Sequence, residues 1–118
     1  MKRDNIVRDK SFAFAIRIVN LSRSLSEDRR EFVLSKQLLR SGTAIGALVR
    51  ESEYAESRSD FVHKLRIALK QANETAYWLD LLCQTNLLAH PEFDPLHSQA
   101  VELIKLLTSI INRANLNR

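Results

Sequence analysis

"LLRSGTAIGALVRES", residues 38–52, holds both glycines of the chain, Gly42 and Gly46, inside a run whose apolar spacing is helical. Leu38, Ile45, Leu48 and Val49 recur on one side of the run, and Arg40 and Arg50 lie away from it. A glycine inside a helix costs about 1 kcal/mol relative to alanine, so two of them one turn apart imply that something approaches the helix closely. The two arginines exclude the membrane setting in which such glycine pairs are best known. Gly42 and Gly46 share a flank with Ser35 and Leu39, beside the apolar stripe. A small surface to match them, Ala68, Ala72 and Ala76, follows later in the chain. The spacing predicts close packing of this helix on the third one, with a helix of another subunit as the alternative partner.

Working outward, 118 residues with only two glycines and two prolines leave little turn punctuation, which favours long helices in one domain, 1–118. Four apolar-periodic segments stand out, at about 9–25, 29–57, 60–86 and 94–115. Asp28 with Glu31 reads as a capping box for the second, Ser59 as the cap of the third, and Asp94-Pro95 as the start of the fourth. Short connections predict an all-α, antiparallel up-down four-helix bundle. Its expected core includes Leu34, Leu38, Ile45, Phe61, Leu65, Leu79, Leu96, Leu103, Leu107 and Ile110.

The first segment carries two apolar stripes where a lone bundle needs one. Phe12, Ala15, Ile16 and Val19 form one; Phe14, Ile18, Leu21 and Leu25 form the other, nearly opposite. The third segment has Ile67, Trp78 and Leu81 off its core stripe. Contiguous exposed apolar patches mark interfaces, so Phe14, Ile18, Leu21, Leu25, Ile67, Trp78 and Leu81 are the candidate contacts of a homo-oligomer.

Charge is uneven. Residues 1–70 hold 15 Lys/Arg against 9 Asp/Glu, net +6, and residues 71–118 hold 3 against 5, net −2. A basic surface attracts polyanions in a salt-dependent way. His63, Arg66, Lys70 and Tyr77 share one outward strip of the third helix, flanked by Lys64, and the second helix adds Lys36, Arg40 and Arg50. Cations beside an aromatic suit phosphate contact and base stacking.

Enzyme chemistry is thinly represented. Asp60-Phe61-Val62-His63 and Asp94-Pro95-Leu96-His97 resemble half of a dinuclear bundle site, but both sit at helix starts and the core stripes lack carboxylates. No phosphate loop, HExxH or nucleophile elbow occurs. The expectation is a protein that is not an enzyme and has no metal or other cofactor. The lone Cys83 falls on the core face, which fits a small hydrophobe in a reducing compartment. With a charged N-terminus and no long apolar run, a cytoplasmic protein without membrane contact is predicted.

The residues also resemble a known family. "SKQLLRSGTAIGALVRES" (35–52), "SRSDFVHKLRIALKQANETAYWLDLL" (57–82) and "ELIKLLTSIINRA" (102–114) are similar to the bacterial 23S rRNA intervening-sequence proteins. The blocks Leu39 to Gly46, Asp60 to Ala68 and Glu74 to Leu79 are the most specific, and the resemblance spans about Lys10 to Ala114. It implies a four-helix bundle, often encoded within segments inserted into large-subunit ribosomal RNA genes, with no enzymatic activity or cofactor. The family is in turn similar to the accessory variability protein of diversity-generating retroelements, a five-subunit barrel with a basic surface that works with a reverse transcriptase and nucleic acid. A homopentamer, an RNA or other nucleic-acid partner, and a protein partner such as a reverse transcriptase are what that likeness implies. Where relatives carry Asn and acidic residues before the equivalent of Glu51, this chain has Ala47-Leu48-Val49-Arg50, which makes the surface more basic. Set against nucleic-acid binding is a second reading, an oligomeric scaffold that recruits a protein partner.

Overall fold

The computed structural model describes the backbone of residues 2–116 and the side chains of residues 6–116. Among the described residues the fold is all-α, four helices and no strand: α1 (Lys2–Asp28), α2 (Leu34–Ser52), α3 (Arg58–Gln84) and α4 (His90–Leu116). Each helix packs on the next, and α1 also packs on α4, so the four surround one core. The core is Leu38, Ile45 and Val49 of α2, Leu65, Ala68, Ala72, Leu79 and Leu82 of α3, and Leu96, Ala100, Leu103 and Leu107 of α4, with the Phe14/Ile18/Leu25 stripe of α1. No described helix is long and apolar enough to cross a membrane.

The helix ends differ from those expected, for local reasons. Arg30 adopts a left-handed backbone (φ 57°), and Glu31 N–H reaches back six residues to the Leu25 carbonyl at 3.0 Å, closing a turn at the end of the helix. That turn stops α1 at Asp28 and delays α2 to Leu34. Arginine is an unusual residue for this conformation, so nothing in the sequence announces the break. Glu31 then caps α2 by itself: its carboxylate accepts from the N–H groups of Val33, Leu34 and Ser35 at 3.3, 3.1 and 2.8 Å. The N–H groups of Glu53, Tyr54 and Ala55 each donate three residues back, tightening the end of α2 five residues before the expected 57. Ser57, not Ser59, caps α3, accepting from Asp60 N–H at 3.0 Å. The fourth helix starts at His90 with Pro91 in its first turn. Pro95 lies inside the helix on its exposed side, so the Asp94-Pro95 start is corrected.

Two expectations about packing are overturned at the seam between α1 and α2. The glycines face α1 and not the Ala68/Ala72/Ala76 ladder of α3: a Cβ at Gly42 would lie 2.7 Å from Ile18 Cγ2, and one at Gly46 would lie 3.4 Å from the Ser11 carbonyl oxygen. Ala68 and Ala72 are fully buried in the shared core and Ala76 half-buried. It follows that Phe14, Ile18, Leu21 and Leu25 are no oligomer surface. They are interior to the subunit, because the hollow left by Gly42 receives the branched Ile18 side chain and turns that stripe inward. The other stripe is left outside, with Phe12 54% and Ile16 49% exposed. Beside Ile18, Ser22 Oγ donates to the Ser35 carbonyl at 3.0 Å, and Arg8 reaches Glu53 at 3.5 Å. Numbers thus rise along α1 as they fall along α2.

Between α2 and α3 a buried polar contact accompanies the apolar ones: Thr75 Oγ1 donates to Ser41 Oγ at 2.9 Å. At the rim of that seam Arg40 pairs with the Glu74 carboxylate, which also accepts from Trp78 Nε1 at 2.9 Å. Lys64 Nζ meets Glu51 Oε1 at 3.2 Å.

Candidate nucleic-acid interface

An α-helix rises 1.5 Å per residue, so His63, Arg66, Lys70 and Tyr77 form a strip about 21 Å long on the solvent side of α3. His63, Arg66 and Lys70 are exposed, and Tyr77 is 57% exposed with its ring set edgewise on Trp78, centroids 5.0 Å apart. Arg66 and Lys70 make no salt bridge with any described residue. Their charge stays available to an incoming anion.

The other candidates divide by what already holds them. Arg40 is committed to Glu74, Gln71 and Gln37, and Lys64 to Glu51. Arg50 lies over the Phe12 ring, 5.3 Å from its centroid, on the α1 side of α2. Lys36 is exposed and, one residue after the seam residue Ser35, lies on the outer side of α2. With Arg40 and Lys64 held at the α2–α3 rim, the other six fall in two places: the α3 strip, and the outer side of α2 with Lys36 and Arg50. Ile67, Trp78 and Leu81 are half-buried; Trp78 packs on the core and is anchored by Glu74.

Sequence reasoning missed the aromatic side of the second place. Phe12 and Phe32 are each 54% exposed, and each has a guanidinium above its ring, Arg50 on Phe12 and Arg30 on Phe32, both at 5.3 Å. The signal was the run Arg29-Arg30-Glu31-Phe32-Val33, hidden when those residues are read as helix.

The acid–histidine pairs do not converge. Asp60 accepts from Glu56 N–H at 3.1 Å, and His97 Nε2 lies 3.7 Å from Asp80 Oδ2 with its ring stacked on Phe93. Cys83 is buried, its sulfur 3.7 Å from His90 Nε2, and His90 Nδ1 lies 3.7 Å from Asp94 Oδ1. No group of three or more His, Cys, Asp or Glu that could hold a metal ion occurs among the described residues.

With this geometry in hand, comparison with known proteins adds the family. A family model described as 23S rRNA-intervening sequence protein matches residues 3–109. No curated protein shows a significant match. Among solved structures, a protein of unknown function from the S23 ribosomal protein family of Bacteroides thetaiotaomicron is 54% identical. The match covers 93% of this chain and 98% of that one, with a TM-score of 0.92.

Proposed function

As this chain belongs to the family of 23S rRNA-intervening sequence proteins, we propose that it is a nucleic-acid-binding accessory protein without enzymatic activity, acting in the cytoplasm on structured RNA. The observation that carries the reading is the α3 strip, where Arg66 and Lys70 stand without carboxylate partners among the described residues, on the same side of the helix as an exposed tyrosine. Cations held by carboxylates on the same surface give little to a phosphate; uncommitted ones release counterions when they meet it.

The subunit is an up-down antiparallel bundle in this reading, supported by opposed numbering across three seams: Arg8 with Glu53 against Ser22 with Ser35, Ser41 with Thr75 against Glu51 with Lys64, and Asp80 with His97 against Cys83 with His90. It assembles with copies of itself through the exposed ridge of Phe12 and Ile16 on α1, set against the flank of α3 that bears Ile67, Trp78 and Leu81. Two different patches make a head-to-tail contact, the type that closes into rings. Five copies is the number the family likeness suggests. Repetition of a weak basic strip around a ring raises avidity without any new contact.

The test is RNA binding across a salt series with wild type and an Arg66→Gln/Lys70→Gln variant. Affinity should fall steeply with salt, and the variant should bind more weakly with a salt slope shallower by about 1 to 2. Full retention of affinity would remove the α3 strip from the reading. No binding by wild type at low salt would favour the protein-recruiting scaffold.

A further inference from the structure

We infer that Phe32, at the turn between α1 and α2, is a stacking platform for an unpaired nucleotide base, with Arg23, Arg30 and Lys36 placed to meet the phosphates on either side. The inference rests on the nucleic-acid reading above and narrows it to single-stranded or looped segments.

The turn itself makes the platform. The left-handed Arg30 reverses the chain after α1, and Phe32 and Val33 emerge 54% and 71% exposed. A phenylalanine next to a helix start often folds back as a staple onto the first turn; this one does not. Its ring meets the Arg30 guanidinium at 5.3 Å, which occupies one side of the ring with a planar cation. The rest of the ring faces water. The loop is also held at its base, since Arg29 Nη2 donates to the Asn86 carbonyl at 3.1 Å and so ties this turn to the one between α3 and α4.

Charge around the ring is mostly positive, the exposed Glu27, one turn after Arg23 on α1, being the acid on that side. Ser22 and Ser35 touch across the α1–α2 seam, so the residues that follow them, Arg23 and Lys36, emerge together on the outer side of that seam. The nearest acid, Glu31, has turned its carboxylate onto three backbone N–H groups of α2. Asp28 accepts from Ser24 Oγ at 3.1 Å. An aromatic ring framed by cations fits a polyanion whose units carry their own flat faces. A two-fold contact with a second copy would instead set these cations against themselves. Duplex RNA keeps its base faces stacked inside and offers the ring nothing.

The experiment compares an unstructured oligouridine with a duplex RNA of the same length at fixed low salt, using wild type, Phe32→Ala and Phe32→Trp. Phe32→Ala should lose at least about fivefold affinity for oligouridine and less than about twofold for duplex, while Phe32→Trp retains binding. Oligouridine should also quench the emission of Phe32→Trp beyond any change at Trp78 seen in wild type, a readout independent of the alanine variant. Equal losses for both RNAs, or none for either, would overturn the platform while leaving the α3 strip intact. A smaller assembly with unchanged RNA affinity would assign Phe32 to contact between copies and also overturn it. If wild type binds neither RNA, the nucleic-acid reading fails first and takes this one with it.

Discussion

The seam between α1 and α2 and the seam between α2 and α3 both combine apolar packing with a buried hydroxyl bond, Ser22 to Ser35 in the first and Thr75 to Ser41 in the second, but they differ in what else each carries. The first adds a steric fit: Gly42 leaves a hollow that Ile18 fills so completely that a single methyl group would lie 2.7 Å from it. The second adds a polar edge, where Arg40, Glu74 and Trp78 are linked. A steric fit fixes which stripe of a helix faces inward, because only one set of side chains can enter. A hydroxyl bond fixes register, because a hydroxyl displaced by one residue loses its partner.

Ile18→Ala should show the largest effect, about 2–5 kcal/mol in denaturant unfolding, as a fully buried branched side chain is lost. Gly42→Ala alone should destabilise by about 1–2 kcal/mol, overpacking being partly offset by the better helix propensity of alanine. Combined, the two should cost clearly less than their sum, since the new methyl group enters the space Ile18 vacates. Strict additivity would mean that the two residues do not share that space.

Thr75→Val tests the other seam. It removes the hydroxyl bond while conserving shape, and should cost about 1 kcal/mol without changing the α1 contacts. A loss as large as that of Ile18→Ala would erase the contrast between the two seams.

A smaller effect is expected from pH at the start of α2. Burial acts to raise the pKa of Glu31, but the N–H groups of Ser35, Leu34 and Val33 and the Ser35 hydroxyl outweigh it and hold the carboxyl below its ordinary value of 4.5. A pKa lowered by folding adds stability that is fully present above the unfolded value and is lost as pH falls through the folded one. Acid unfolding curves of Glu31→Gln should therefore fall short of wild type near neutrality and approach it progressively as pH drops below the ordinary value of 4.5. A constant gap across pH would show that the carboxylate charge plays no part in the cap.

Gly46→Ala should move stability least. Its methyl group would sit at ordinary contact distance, 3.4 Å from the Ser11 carbonyl, so the gain in helix propensity, up to about 1 kcal/mol, should survive. Two glycines four residues apart would then have opposite responses to the same substitution.

Much of the fold was legible because it follows from periodicity. Leu38, Ile45, Leu65, Leu79, Leu103 and Leu107 are buried where a helical wheel puts them. The α3 strip was equally readable, because the exposed side of a helix is the complement of its buried side. The missed features depend on turns and neighbours. The left-handed Arg30 hid both the true start of α2 and the exposure of Phe32. The commitments of Arg40 and Lys64 need carboxylates 34 and 13 residues distant in the chain, which no local pattern links to them.

By itself the sequence determined four amphipathic helices, most of their inward faces, and an excess of cations in the first two-thirds of the chain. It left α1 with two apolar stripes of nearly equal quality, and only tertiary structure decided between them. Burial energy rewards either stripe alike, but shape does not: the hollow at Gly42 takes Ile18, and Phe14, Leu21 and Leu25 follow it inward on the same side. Phe12 and Ile16 are left facing water by that single fit.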